Sequence, residues 1–349
     1  MNEENKLSVN MKLVSPAFAG GADQAKAELR VPSLRGLLRF WWRAVQPPMS
    51  PTELRGEENK LFGSTDTGQS KFLMGIPDEN NKPLPAGTKV DNSIGYLGYG
   101  IAGYIREQRE VQTTRDALDA GGRFTLRLIF KKGAAERKGE LLDAVWCLTH
   151  LGGMGSRSRR GFGSMVVTGV EGADFPELPG SPEELKERIE GKFRNLNLSE
   201  RGGLPEYTAL SRHVSAVVWP TGDKSWENAL RTLGDRLNGF RSAQRTDRFL
   251  DDRDLIRDYA FEGKKPTRSP DRAAFGLPHH YFFKQTKTQV NVSGARHDRR
   301  ASPLFIHLHE LRGGEHAAVL RLIPARFLPE GEEVKIGPAG RQRERFVEP

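Results

Sequence analysis

Apolar and polar residues alternate through NKLSVNMKLVSPAF until Pro16 and the glycine pair at 20–21. A period of two predicts a half-buried strand. The period lengthens in ELRVPSLRGLLRFWWRAV. There Leu34, Leu37, Leu38, Trp41 and Val45 fall on one helical face, and Arg35, Arg39 and Arg43 fall along another. The spacing predicts a helix over 33–46, capped by Ser33 after Pro32 and stopped by the Pro47–Pro48 pair. Residues 50–75 predict a short helix and then the polar turn in LFGSTDTGQSKFLMG. The stretch 76–92 is loop-like, and the glycine- and tyrosine-rich 93–105 fit strand and loop equally. GGRFTLRLIF predicts a strand with Phe124, Leu126, Leu128 and Phe130 on one side. A helix follows over roughly 136–151, closing at Gly152, and SMVVTGVE predicts another strand. Strand, helix, two strands, helix, strand is the ferredoxin-like βαββαβ order with insertions.

Beyond residue 172 the pattern dissolves into a stretch rich in proline, glycine and charge, with one short helix in SPEELKERIEGKF; 172–204 reads as a linker. Periodicity resumes with a strand in HVSAVVWP and a helix in SWENALRTLGDRLNGF, then a second helical pattern over 247–261. AAFGLPHHYFF, KTQVNVSG, ASPLFIHLHEL and AAVLRLIPARF read as strands. No short tandem repeat is visible.

Composition narrows the picture in two respects. Hydrophobic residues are 36% of the 349, enough to build cores. Lysine and arginine number 54 against 45 acids, for a formal charge of +9 and a pI near 9.6. That excess favours a polyanionic partner. The single cysteine, Cys147, rules out an intramolecular disulfide and fits a reducing compartment. The polar start MNEENKLSVN has no signal-peptide core, and no apolar run is long enough to span a bilayer. The expectation is a soluble, cytoplasmic chain with no membrane partner.

The charge gathers in LGGMGSRSRRGFGS, residues 151–164, which hold five glycines, three arginines and three serines. Glycine lets backbone N–H groups approach a phosphate or turn with positive φ, and arginine adds charge-assisted contacts. A Walker loop is excluded, because no lysine is present and the loop runs from helix to strand. The dinucleotide fingerprint fails on the same inverted context. Two readings stay open: a rigid basic rim for a nucleic-acid backbone, or a helix-to-strand connection with solvated arginines.

This loop resembles the glycine-rich loop of the RAMP superfamily of CRISPR RNA-binding proteins. SPAFAGGADQAKAELRVPSLRGLLRFWWRAV is similar to the first subunit of Cmr (type III-B) RNA-targeting effectors, and EENKLFGSTDTGQSKF, AAFGLP and RRASPLFIHL extend the likeness along the chain. The resemblance implies an α+β fold of two ferredoxin-like, RRM-like modules. The first would cover 1–175 and the second 205–349, with 176–204 between them. It also implies a non-catalytic subunit seated near the 3′ end of the guide crRNA, beside adjacent RAMP subunits, that helps capture target RNA in antiviral defence.

Under that reading the RNA-binding candidates are Arg30, Ser33, Arg35 and Arg39 around the helix start, Gln69, Ser70 and Lys71 in the polar turn, and Arg157, Ser158, Arg159 and Arg160 in the loop. They are expected to converge on one cradle. For Arg35, Arg39 and Arg43 the alternative is a solvated helix face; for 64–71 it is a turn. Trp41 is expected in the core, and Trp42 at its edge, packed or stacked on a base. The segment 76–92 is the candidate for a thumb-like hairpin. No catalytic residue, cofactor or metal is assigned. Asp23, in GGADQ, would carry a metal-dependent endoribonuclease reading, although a lone acid in a glycine turn is ordinarily a turn-former. His307 and His309 share a strand face without further ligands at metal spacing. A third reading is a structural cap that contacts only protein.

Overall fold

The computed structural model describes residues 3–241, 249–338 and 345–347, and it is a mixed helix-and-sheet protein. In chain order the elements used below are β1 (Lys6–Leu13), α1 (Val31–Val45), α2 (Pro51–Phe62), β2 (Phe72–Gly75), β3 (Lys89–Val90), α3 (Asn92–Leu97), β4 (Ala102–Ile105), β5 (Glu110–Thr113), β6 (Arg123–Phe130), α4 (Lys138–Leu151), β7 (Met165–Glu171), α5 (Pro182–Asn195), β8 (Ser215–Pro220), α6 (Trp226–Arg241), α7 (Leu250–Glu262), β9 (His279–Phe283), β10 (Thr288–Gly294), β11 (Leu304–Glu310), β12 (His316–Leu322), β13 (Val334–Pro338) and β14 (Arg345–Val347).

The chain forms two compact units. The first comprises Met1–Gly203, Ala209–Gly234 and Phe305–Ile323; the second comprises Leu204–Thr208, Asp235–Leu304 and Pro324–Pro349. This division differs from sequence boundaries at 175 and 204. The stretch whose composition suggests a linker belongs to the first unit, because α5 has an apolar stripe. Leu185 and Ile189 are buried, the Ser181 hydroxyl caps the helix by accepting from Glu184 N, and α5 packs on β8.

In the first unit one antiparallel sheet has the order β7–β1–β6–β2, and residues Glu79–Asn80 add to β6. Leu7, Val9, Met11 and Leu13 of β1 point into the core, as do Phe124, Leu126, Leu128 and Phe130 of β6, as the alternation predicts. α1 packs on α4. Leu34, Leu38, Trp41 and Val45 are buried as expected, whereas Leu37 is half-buried. A second antiparallel sheet of the same unit has the order β8–β12–β11. Between β2 and β6 the chain is not the open loop its composition suggests. Pro83–Leu84 pairs with Ala117–Leu118, and β3, β5 and β4 form a small sheet. The hairpin in this region joins β4 and β5, downstream of 76–92.

The second unit is an antiparallel sheet, β9–β10–β13–β14, with Val290, Val292, Val334 and Ile336 in a core closed by Ile256 and Tyr259 of α7. AAFGLP is not a continuous strand: Asp271–Phe275 is a short 3-10 helix, Leu277 makes an isolated antiparallel bridge to Arg300, and the strand β9 begins at His279. Buried Asp252 holds this turn by accepting from Asp271 N, Arg272 N and Arg268 Nη1.

The basic stripe on α1 has a partner that periodicity does not reveal. SPTE is a capping box that starts α2 at Ser50 and Glu53. α2 carries Glu58, which is buried and accepts from Arg39 Nε at 2.5 Å and Arg43 Nη1 at 2.7 Å. Arg39 and Arg43 are therefore neither a solvated face nor free cations. Glu58→Ala is expected to lower stability by about 2 kcal/mol, below the cost for a fully buried pair because both arginines are partly exposed. Urea melts should show the loss, and a triple variant that also carries Arg39→Met and Arg43→Met should recover most of it.

Candidate nucleic-acid interface

The glycine–arginine loop leaves α4 at Gly152 and folds back on the segment after β1. Gly163 N donates to Pro16 O (2.8 Å), Ser156 N to Phe18 O (2.9 Å) and Met154 N to Gly163 O (2.9 Å). On its other side it joins β11: Ile306 N donates to Arg159 O (3.1 Å) and Gly161 N to Ile306 O (3.0 Å). These bonds explain the glycines. A Cβ on Gly155 would lie 2.7 Å from Phe18 O, and one on Gly163 would lie 2.0 Å from Met154 O. The bare backbone serves close packing of main chain on main chain, and the arginines ride on the resulting rigid turn.

The three arginines differ in setting. Arg157 is exposed and sits at φ 60°, a strained conformation for a residue with a Cβ. Burial of part of its guanidinium lowers its pKa; the Tyr99 hydroxyl opposes that shift and the neighbouring Arg115 adds to it. Arg115 donates from Nη2 to Ser156 Oγ at 2.7 Å. Arg159 lies over the Phe305 ring at 4.2 Å and near Phe40 of α1 at 5.9 Å. Arg160 N donates to Arg157 O at 2.7 Å, closing the turn around Ser158. Beneath them Arg321 of β12 is fully buried over Phe305 (5.0 Å) and Trp41 (5.9 Å), and burial drives its pKa well down.

The candidates on α1 fall elsewhere. The helix begins at Val31, so Arg30 occupies the cap position with no side-chain cap bond, and Ser33 is an exposed residue of the first turn rather than the N-cap. Pro32 near the start makes that earlier beginning favourable. Arg30 lies 3.9 Å from Glu28. Arg35 turns toward the end of α2. It reaches Phe62 O at 3.5 Å and Ser70 Oγ at 3.3 Å and lies over the Phe72 ring, and burial followed by Arg39 lowers its pKa. Two predicted clusters thus meet, Arg35 with Ser70, the latter buried and donating to Phe72 O. Gln69 and Lys71 stay exposed, with the Gln69 carbonyl accepting from Lys131 Nζ. At 100° per residue Phe40 lies about 140° around α1 from Arg35. Arg35 and Arg159 therefore stand on different sides of that helix, in two basic groups instead of one. Trp42 is core, fully buried and donating from Nε1 to Glu140.

Asp23 is exposed and accepts from Ala25 N at 3.0 Å, the bond of a turn-former, with Lys26 at 3.8 Å. His150, His307 and His309 form a buried cluster. His307 Nδ1 lies 2.7 Å from Gly152 O, its Nε2 lies 3.2 Å from His309 Nδ1, and His150 stacks on Trp146. Burial pushes the Cys147 thiol up to about 12, where it is neither nucleophile nor ligand at neutral pH. Among the described residues no group of three or more His, Cys, Asp or Glu is arranged to hold a metal ion, and no helix is long and apolar enough to cross a membrane. A cleft of about 540 Å³ elsewhere in the first unit is lined by Lys12, Lys89, Asp119, Arg231, Glu310 and His316. Two of its lysines are already met, Lys12 by Glu310 at 2.6 Å and Lys89 by Glu110 at 2.8 Å.

Sequence reasoning misses Arg115 and Tyr99. Neither sits in a basic run; only pairing of the 84–118 insertion brings them to the loop.

Residues 10–166 match the family model of the RAMP superfamily. The chain is 27% identical over 320 residues to the CRISPR system Cmr subunit Cmr1-1 of Pyrococcus furiosus, covering 87% of this chain and 82% of that protein. It is 27% identical over 176 residues to Cmr1-2 of the same organism, covering 45% of this chain and 92% of that one. The crystal structure of Cmr1 from Pyrococcus furiosus in its apo form matches with a TM-score of 0.57 at 18% identity, over 93% of this chain and 90% of that one, a likeness of fold.

Proposed function

We propose that the chain, which matches the RAMP superfamily model over residues 10–166 and is similar along most of its length to a Cmr subunit, is an RNA-binding, non-cleaving subunit of a Cmr (type III-B) CRISPR effector. Its partners would be the guide crRNA toward its 3′ end, target RNA and neighbouring Cmr subunits. The order β7–β1–β6–β2 supports a ferredoxin-like module, and β8, α6, β11 and β12 would supply the strand–helix–strand–strand part of a second one.

One observation carries the reading: the glycine–arginine loop is a rigid turn that presents Arg157 outward beside Arg115. Two guanidiniums at a fixed spacing favour a ribose–phosphate backbone, and in a guided complex base pairing supplies the sequence information. Arg35, Arg39 and Ser70 would act beneath the surface, shaping the α1–α2 corner, while Arg30, Ser33, Gln69, Lys71 and Ser158 remain candidates for direct backbone contacts.

The test is RNA binding by the full chain across a salt series. Arg157→Gln is expected to weaken all RNA sequences alike and to reduce the salt slope by about 0.7 for each phosphate that the native arginine neutralises on a single strand. The triple variant Arg157→Gln, Arg159→Gln, Arg160→Gln should lose most binding, with circular dichroism checking the fold because Arg159 also packs on Phe305. Native-like affinity and slope in both variants would reject the reading and favour a cap that touches only protein. Asp23→Ala is expected to leave assembled-complex target cleavage unchanged.

A further inference from the structure

Tyr99 is 74% exposed, an unusual position for an aromatic ring on a braced segment. Its backbone neighbours are held firmly. Gly98 N donates to Ile94 O at 2.8 Å, and Ile101 N and Ala102 N both donate to Gly98 O at 2.8 Å. Phe162 of the glycine–arginine loop supports this turn: a Cβ on Gly98 would lie 3.3 Å from its ring tip. The ring therefore projects from a stalk that is already ordered, so little backbone entropy is lost when something stacks on it.

The same turn meets the loop's cations. A Cβ on Gly100 would lie 3.2 Å from Arg157 Nη2, which places that guanidinium against the residue next to Tyr99. Arg115 is tied by Nη2 to Ser156, the residue before Arg157, and its Nε is buried with no hydrogen-bond partner among the described residues. Among those residues neither Arg115 nor Arg157 has a carboxylate at ion-pair distance. Two like charges held together without an acid favour an anion between them. An exposed aromatic face beside such a pair matches the chemistry of an unpaired nucleotide: a base to stack and a phosphate to pair.

We infer that Tyr99, Arg115 and Arg157 form a clamp for a single unpaired ribonucleotide, with the base on the Tyr99 ring and the adjoining phosphate between the two guanidiniums. The inference rests on the reading of the loop as an RNA-binding surface. It adds a preference that backbone contacts alone do not produce, for single-stranded over fully paired RNA.

The experiment compares three probes on the full chain: oligouridylate, a ribose–phosphate strand of the same length without bases, and duplex RNA. Tyr99→Ala is expected to weaken oligouridylate binding about tenfold or more and to leave the abasic strand and the duplex unchanged. Tyr99→Trp should restore oligouridylate binding. Arg115→Gln should weaken both single strands and lower the salt slope. If Tyr99→Ala binds oligouridylate like the native chain while Arg157→Gln weakens it, the clamp is refuted and the loop reading stands. If Arg157→Gln also leaves every probe unaffected, both fall together.

Discussion

Acidification from pH 7 toward pH 4.5 is expected to unfold the first unit, with a stability loss approaching about 4 kcal/mol per pH unit. The cause is the buried cluster of His150, His307 and His309. Burial presses His309 down to about 3 from the ordinary 6.5, and burial together with the neighbouring rings holds His150 and His307 well below it. In the unfolded chain these rings take up protons below about 6.5; in the folded chain they do not until far lower pH. Their contribution is therefore complete above pH 6.5 and is lost as pH falls. The hydrogen bonds give the atomic reason. Gly152 O can only accept, so neutral His307 donates from Nδ1 and accepts at Nε2 from His309 Nδ1. A proton on His307 Nε2 would set two donors against each other in a dry core. Each fully displaced histidine contributes about 1.4 kcal/mol per unit, against a typical total of about 5–15 kcal/mol. Urea midpoints measured from pH 7.5 to 4.5 should fall steeply, and His309→Gln should flatten the slope by about a third. A midpoint constant between pH 7 and 5 would contradict the expectation.

Gly163→Ala is expected to abolish folding of the first unit or to cost more than about 3 kcal/mol. Gly163 has φ 61°, where an alanine is strained by about 1 kcal/mol. The larger effect is steric. The new Cβ would lie 2.0 Å from Met154 O, main chain pinned by the bond from Met154 N to Gly163 O. Neither strand of the loop can yield without breaking its bonds to Pro16 and Phe18. Gly133 is the control: its φ of 74° is similar, but a Cβ there meets nothing within 4 Å. Gly133→Ala should cost only about 1 kcal/mol. Soluble yield and thermal melting of the pair separate space from backbone strain, and equal losses would refute the steric account.

The strands that alternate cleanly are legible in the sequence. β1 and β6 carry inward residues at every second position, and a half-buried pleat leaves that trace in any sequence. α1 is legible for the same reason, although it starts two residues before the point that capping preference predicts: Ser33 satisfies that preference, yet Pro32 is accommodated in the first turn. The apolar character of AAFGLP suggests strand, but the bonds from Asp252 to 271 and 272 hold it as a turn, and that carboxylate lies in another element. The helix in 172–204 is visible; its burial against β8 is not, since charge and proline dominate the local composition.

The chain's own order of residues determined the helices and strands with a single strong period, the surplus of arginine and the glycine-rich backbone at 151–164. Those properties are local, set by the side chains within one or two turns of each position. Only the tertiary structure decided what each cation does. Arg39 and Arg43 are bound by Glu58, Arg35 by the corner at Ser70, and Arg159 by Phe305, while Arg157 is left outward beside Arg115. A charge's role depends on which opposite charge, ring or solvent lies within a few ångströms, and residues far apart in the chain supply that neighbourhood.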